Sequence, residues 1–266
     1  MIHDILERKF TRIGARLKLT LTDRVHLDRG VRLDVRTDGQ GEFFEIIRGT
    51  ETPAQVEVLD LQPADRHLLL MVRQDGAKSK FLCGHDERHW FVAAIPEAAP
   101  VGTVRAAKEA LNPAEVQAAQ ARLGLPAQAR DRRKNAAYRR QGEWFFIPVP
   151  GFSVNPRLVL RDEPITRGNG SKPHRAEFCY RSGGVPVYVC PQYPNGVNER
   201  LYRHLLEHEP GSKNWGWRVM RVNAEVYVRG HIHHADHKTI KLADWHRVLM
   251  NTENQAQAMR NVAFLD

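Results

Sequence analysis

The stretch that decides the fold class is residues 56–95, VEVLDLQPADRHLLLMVRQDGAKSKFLCGHDERHWFVAAI. It contains four short apolar runs, Val56–Leu61, Arg66–Val72, Ser79–Gly84 and His89–Ile95. Gln-Pro-Ala-Asp, Gln-Asp-Gly-Ala and Asp-Glu-Arg separate these runs. Apolar runs that alternate with turn-forming residues are typical of β-strands joined by tight turns. The stretch therefore predicts an antiparallel meander of four strands.

A helical stretch is predicted on the C-terminal side of the meander. Pro96 and Pro100 close the meander, and Thr103 is a suitable N-cap for a helix over 104–111. Asn112-Pro113 is a suitable start for a second helix that runs to Leu123, where Gly124 follows. From 129 to 140 the chain is again compatible with a helix and is strongly basic.

The second half returns to strand patterns. Strands are predicted at 143–149, 157–160, 175–180, 185–190, 215–219, 224–232 and 245–250. One amphipathic helix is predicted near 198–209, and a terminal helix runs from Thr252 to about Val262. The predicted fold class is α+β and antiparallel-β-rich. Two β-rich halves, 1–102 and 142–266, are joined by a basic helical connector, 103–141, and the two halves could also form one single domain.

Composition favours a polyanionic partner. The 266 residues include 40 Lys and Arg against 31 Asp and Glu, for a net charge of +9. A basic surface that neutralises phosphates releases counterions, so DNA or RNA is the expected partner, although a basic protein without such a partner has the same composition. The three cysteines form no CxxC pair, and we expect them to be reduced and mostly buried. No apolar run is long enough to cross a bilayer and the N-terminus is charged, so no membrane contact and a cytoplasmic location are expected.

Two basic clusters are candidates for phosphate contacts. The first has six cations in eleven residues, namely Arg130, Arg132, Arg133, Lys134, Arg139 and Arg140. If this segment is helical, several of these cations and Tyr138 share one side, as in proteins that bind single strands. A solvated linker helix is the alternative interpretation.

The second cluster lies in Arg167-Gly-Asn-Gly-Ser-Lys-Pro-His-Arg175, where Arg167, Lys172, His174 and Arg175 supply the charge. Gly168 and Gly170 would allow backbone N–H groups to turn towards an anion. An ordinary connection between strands explains the same composition.

The densest group of possible metal ligands is His231-Ile-His-His-Ala-Asp-His237. Imidazole and carboxylate groups suit zinc, nickel, cobalt or manganese, and a divalent ion of the Zn, Mn or Mg class is the expected cofactor if the protein is an enzyme. On a strand, His231 and His233 share one face, whereas Asp236 and His237 are expected in the following turn. A polar hairpin that binds no ligand is the alternative.

The last 30 or so residues resemble the ββα-metal arrangement of HNH-type nucleases. Asp236 and His237 would end the first strand, 245–250 would be the second, and Asn251 would precede the helix. The resemblance implies His237 as general base with Asn251 beside it in the catalytic group. It also implies Asp236 and the helix-borne Asn261 as metal ligands, and the local histidine group adds His231 and His233 to the expected ligands. The chain departs from the family pattern because the glycine-rich connection and the flanking cysteines are missing.

Two functions of different classes follow. The first is a nucleic-acid-binding or processing protein, in its sharpest form a divalent-metal-dependent nuclease. The second is a non-enzymatic structural or assembly subunit that binds an acidic protein partner. A continuous basic groove leading to the histidines would favour the first, and scattered charge would favour the second.

Overall fold

The computed structural model describes residues 2–22, 30–50, 54–167, 171–257 and 259. The fold is α+β, and its sheets are mostly antiparallel, as predicted. The exception is β1, which pairs in parallel with β3. The elements of the N-terminal half are α1 Ile2–Arg12, β1 Leu17–Thr22, β2 Val31–Asp38, β3 Gly41–Gly49, β4 Ala54–Gln62, β5 His67–Gln74, β6 Ala77–Asp86 and β7 His89–Ile95.

The predicted meander is present. Strands β4, β5, β6 and β7 pair in chain order and every pair is antiparallel. Strand β5 is apolar and buried from Leu68 to Val72 because both faces of the sheet are covered there. Leu68 and Leu70 face a core shared with α1 and β3, whereas Leu69 faces a second core built with the first helix of the connector.

The connector contains three short helices, α2 Val104–Ala110, α3 Ala114–Arg122 and α4 Ala127–Arg130. The Thr103 side chain caps α2 by accepting a hydrogen bond from the Ala106 N–H at 3.1 Å. Beyond Arg130 the chain leaves the helix, although its sequence is compatible with one. The Asn135 side chain accepts hydrogen bonds from the N–H groups of Ala137 and Tyr138, and this local turn competes with helical pairing.

The C-terminal half is built on a six-stranded antiparallel sheet with the order β10-β11-β15-β16-β9-β8. A three-stranded sheet, β13-β12-β14, together with α5 is inserted between β11 and β15. The elements are β8 Arg139–Gln141, β9 Trp144–Pro148, β10 Leu160–Ile165, β11 His174–Ser182, β12 Val185–Cys190, β13 Tyr193–Val197, α5 Glu199–His208, β14 Arg218–Val222, β15 Glu225–His233 and β16 Ile240–Met250. Short 3-10 helices lie at Pro156–Leu158, Pro210–Asn214 and Thr252–Gln255.

The expected terminal helix differs from the structure. Residues Thr252–Gln255 form a 3-10 turn, and Ala256 is extended, with φ −75° and ψ 128°. The turn is held in place because the Thr252 hydroxyl donates to the Ala110 carbonyl at 2.7 Å and Ala256 packs into the core of the N-terminal half. An α-helix starting at Thr252, as the HNH resemblance implied, is therefore not formed over the described residues 252–257.

The two halves touch along one side of the molecule. The Lys238 N–H donates to Glu87 at 2.7 Å, and the Gln257 N–H donates to Glu97 at 3.1 Å. The first bond holds the β15–β16 turn against the β6–β7 turn, and the second holds the segment after the terminal 3-10 turn against the segment after β7. The three cysteines are buried and unpaired, as expected. Among the described helices, none has the length and apolar composition of a membrane span.

Candidate functional site

A cleft of about 850 Å³ lies where the two halves meet. We call it the central cleft. Its walls come from β2 and the β6–β7 turn on one side and from the β8–β9 turn, the loop before β11 and the β15–β16 turn on the other. The charged residues and histidines that line the cleft are Arg32, Asp34, Arg36, Glu42, Asp86, Arg88, His89, Arg140, Glu143, Arg167, Lys172, Asp236, His237 and Glu253.

Five residues singled out from sequence meet in this cleft, namely Arg140, Arg167, Lys172, Asp236 and His237. Lys172 Nζ lies 2.8 Å from Asp236 Oδ2, and this pair lowers the pKa of the Asp236 carboxyl. Arg167 donates to Glu253 at 2.6 Å. One cation from the first basic cluster and two from the second therefore lie beside the Asp-His pair.

Other members of the basic clusters are used elsewhere. Arg130 donates to the Leu125 carbonyl at 2.9 Å, and Arg175 donates to Asp162 at 2.8 Å. Arg133 forms ion pairs with Asp86 and Glu87 in the β6–β7 turn. Arg132 and Lys134 are exposed and Arg139 is half-buried, all three outside the cleft lining. The glycines of the second cluster, 168 and 170, lie outside the described residues.

The N-terminal wall supplies two cations that the sequence interpretation missed. Arg32 on β2 and Arg88 in the β6–β7 turn are both exposed and line the cleft. Within the part of the chain that the structure describes, neither side chain forms an ion pair or a hydrogen bond. No local pattern marks them, since each is a single arginine in a strand or a turn.

Buried carboxylates support this wall. Asp34 and Glu45 are cross-strand partners on β2 and β3, and both are buried. Arg36 lies between them, with its Nε 3.1 Å from Asp34 and 2.8 Å from Glu45. Desolvation nevertheless raises the pKa of the Asp34 carboxyl. Arg36 therefore forms ion pairs with these two carboxylates and is less available to a ligand than Arg32 or Arg88.

A histidine connects the two walls. His89 Nδ1 lies 2.5 Å from Glu42 Oε1, and its Nε2 lies 3.8 Å from Asp236 Oδ1. Glu42 belongs to the N-terminal half and Asp236 to the C-terminal half. The structure thus brings His89, the first residue of β7, to the cleft.

Three histidines form a cluster in the C-terminal half, and one of them, His237, lines the central cleft. A nitrogen from each of His174, His234 and His237 lies within 4.8 Å of the others. His174, at the start of β11, is only 1% exposed, and neither of its ring nitrogens has a hydrogen-bond partner among the described residues. Burial, followed by the neighbouring His234 and His237, lowers the pKa of His174 to about 3. His174 is therefore neutral at physiological pH and does not supply the surface charge expected of it from sequence.

The expected metal ligands are placed differently. His231 Nδ1 lies 2.7 Å from Glu177, and His233 Nδ1 lies 3.1 Å from the Thr239 hydroxyl. They share a face of β15, as predicted, but they do not belong to the three-histidine cluster. Asn251 caps the 3-10 turn by accepting from the Glu253 N–H at 3.4 Å, and it is not part of the cleft lining. Asn261 lies outside the described residues.

The chain matches no family model, no curated protein and no solved structure. Functional inference for this protein therefore depends on the chemistry of the central cleft and of the three histidines.

Proposed function

We propose that this protein binds single-stranded nucleic acid in the central cleft. The observation that carries the proposal is the convergence of Arg32 and Arg88 from one half with Arg167 and Lys172 from the other on a single cleft. Guanidinium groups are well suited to phosphate because they donate in a planar fork. The volume of about 850 Å³ is in the range of small-ligand sites, which fits a few nucleotides of one strand.

The charge balance of the cleft defines the mode of binding. Its lining has six cations and six carboxylates, so it is not a uniformly basic groove. Within the described residues, three of the six cations form an ion pair with a carboxylate, as Lys172 does with Asp236 and Arg167 with Glu253. Of the other three, the half-buried Arg140 donates to the Gly142 carbonyl at 2.9 Å, whereas Arg32 and Arg88 are exposed and form no ion pair or hydrogen bond within the described residues. They are therefore the expected primary contacts to phosphate.

The test is a binding titration with labelled single-stranded DNA and RNA of about ten nucleotides. The Arg32→Ala/Arg88→Ala variant should bind at least 10-fold more weakly than the wild type. The matched control is Arg8→Ala/Arg122→Ala, which removes two exposed arginines of α1 and α3 that do not line the cleft. The control should keep the wild-type affinity. Equal losses in both variants would mean that only net charge matters, and would contradict the proposal.

The nuclease form of the proposal adds cleavage of the bound strand. Its support is the position of Asp236 and His237 in the same cleft as the cations. Incubation with Zn²⁺, Mn²⁺ or Mg²⁺, followed by a denaturing gel, should give shortened products that EDTA abolishes. Intact strands under all of these conditions would leave a binding protein without nuclease activity.

A further inference from the structure

We propose that His174, His234 and His237 are the protein ligands of one divalent ion of the zinc class. The site lies beside the central cleft and reaches it through His237. The proposal concerns metal binding by the protein alone, so it does not depend on nucleic-acid binding.

The first argument is the burial of His174. A buried imidazole nitrogen without a hydrogen-bond partner costs about 1–3 kcal/mol, so such groups are rare without a reason. Among the residues that the structure describes, His174 has two of them. Its neighbours on this side are the rings of His234 and His237, with ring centroids at 4.1 Å and 5.6 Å. A metal ion bound to His174 would give one of these nitrogens a partner.

The second argument is the state of the His234 ring. Its Nε2 lies 3.3 Å from the Lys172 carbonyl, and a neutral ring that donates there keeps its lone pair on Nδ1. A backbone carbonyl bonded to the distal nitrogen is the usual way in which a metal-bound histidine is oriented. Binding through Nδ1 would displace only the 3.2 Å contact from the Asp236 N–H.

The third argument is the distance between the ligands. Zinc–nitrogen bonds of about 2.1 Å in a tetrahedron place the nitrogens about 3.4 Å apart. The three nitrogens here lie within 4.8 Å, so movements of about 1 Å close the site. The rings are now stacked with small interplanar angles, and they must turn about χ2, a torsion with broad preferences, before their lone pairs converge.

The chemistry of the three ligands selects the ion. Three imidazoles without a thiolate suit Zn²⁺, Co²⁺ or Ni²⁺, whereas Mg²⁺ prefers oxygen ligands. Three histidines leave one tetrahedral position to water or a further group, which is the pattern of catalytic rather than structural zinc sites. The proposed ion is therefore of the zinc class, and the ligand set differs from His231, His233, Asp236 and Asn261.

The experiment is a titration of the full chain, freed of metal with a chelator, with Co²⁺ and then with Zn²⁺ in competition. We expect one ion per chain and a visible absorption spectrum typical of four-coordinate Co²⁺. The His234→Asn/His237→Asn variant should lose at least about 100-fold in affinity. His231→Asn/His233→Asn, which changes two histidines of the same stretch outside the cluster, should bind as the wild type does.

Two results would overturn the proposal. One is the absence of stoichiometric binding of either ion by the folded wild-type chain. The other is loss of binding in the His231→Asn/His233→Asn variant with retention in the His234→Asn/His237→Asn variant. Far-ultraviolet circular dichroism of each variant separates loss of the site from loss of the fold. The His234 and His237 side chains are only partly buried, so their replacement is better tolerated than that of His174.

Discussion

Gly142 lies against the ring of His237. A Cβ atom on residue 142 would lie 2.8 Å from His237 Nε2, closer than van der Waals contact allows. Gly142 also has a φ of +57°, which disfavours any residue with a side chain. The β8–β9 turn therefore fixes the space in which His237 can move, and this space is part of the proposed metal site.

Gly142→Ala should weaken Co²⁺ binding by at least 10-fold, because the new methyl group displaces His237. The matched control is Gly151→Ala, since Gly151 has a φ of +74° and nothing lies within 4 Å of a Cβ there. Both variants should lose about 1–2 kcal/mol of stability from backbone strain. Metal titration of both variants, with urea unfolding alongside, measures the difference. Equal cobalt affinities would show that the contact with His237 has no role in the site.

The meander could be predicted because its determinants are local. Asp75 and Gly76 both have positive φ, which is the conformation that an Asp-Gly hairpin turn requires, and they fix the pairing of Gln74 with Ala77. The apolar run of β5 shows directly that both faces of the strand are covered. Such features need no knowledge of distant parts of the chain.

The cleft and the histidine cluster could be predicted only in part. His237 and Asp236 stood out because they belong to a dense local group, but His174 is more than fifty residues away and its burial is a tertiary property. His231 and His233 are closer in sequence, yet strand alternation turns them to the face that carries Glu177 and Thr239. Arg32 and Arg88 reach the cleft only because β2 and the β6–β7 turn share one wall.

The first basic cluster divides into structural and exposed cations. Arg133 pairs with Asp86 and Glu87 and so links the connector to the β6–β7 turn. Arg133→Ala should lower the free energy of unfolding by about 1 kcal/mol, in the range of partly exposed ion pairs. Arg132→Ala, which removes an exposed neighbour, should change it by less than about 0.5 kcal/mol. Urea unfolding of both variants checks this, and equal effects would remove the structural role of Arg133.

The salt dependence of nucleic-acid binding should be shallow. For single strands, log K falls with log salt by about 0.7 for each phosphate contact, so contacts from Arg32 and Arg88 predict a slope near −1.4. The Arg32→Ala/Arg88→Ala variant should show a slope close to zero. Binding should be measured between 50 and 300 mM salt. Over this range the Debye length falls from about 14 to about 6 Å, so the screening of the contacts changes measurably. A slope much steeper than this in the wild type would indicate that paired or exposed cations outside the cleft also contact phosphate.

Acid should destabilise the protein through His67 at the start of β5. This ring donates from Nδ1 to the Asp65 carbonyl, and burial, followed by Lys108, lowers the pKa of His67 to about 4. In the unfolded chain His67 takes up a proton near pH 6.5. The contribution of the neutral His67 ring to the free energy of unfolding is therefore complete above that pH, and it is lost as the pH falls from 6.5 to 4. The difference between the pKa of His67 in the unfolded and the folded chain corresponds to at most about 3 kcal/mol of unfolding free energy.

His67→Gln keeps a side chain that can donate a hydrogen bond but cannot titrate. Urea unfolding between pH 7.5 and 4.5, with EDTA present, should therefore show a smaller loss of stability in this variant than in the wild type. His208→Gln is the control, because His208 is exposed at the end of α5. Its stability curve should run parallel to that of the wild type. If the His67→Gln curve also runs parallel, the neutral ring of His67 is not what acid disrupts, and the buried His174 becomes the next group to replace.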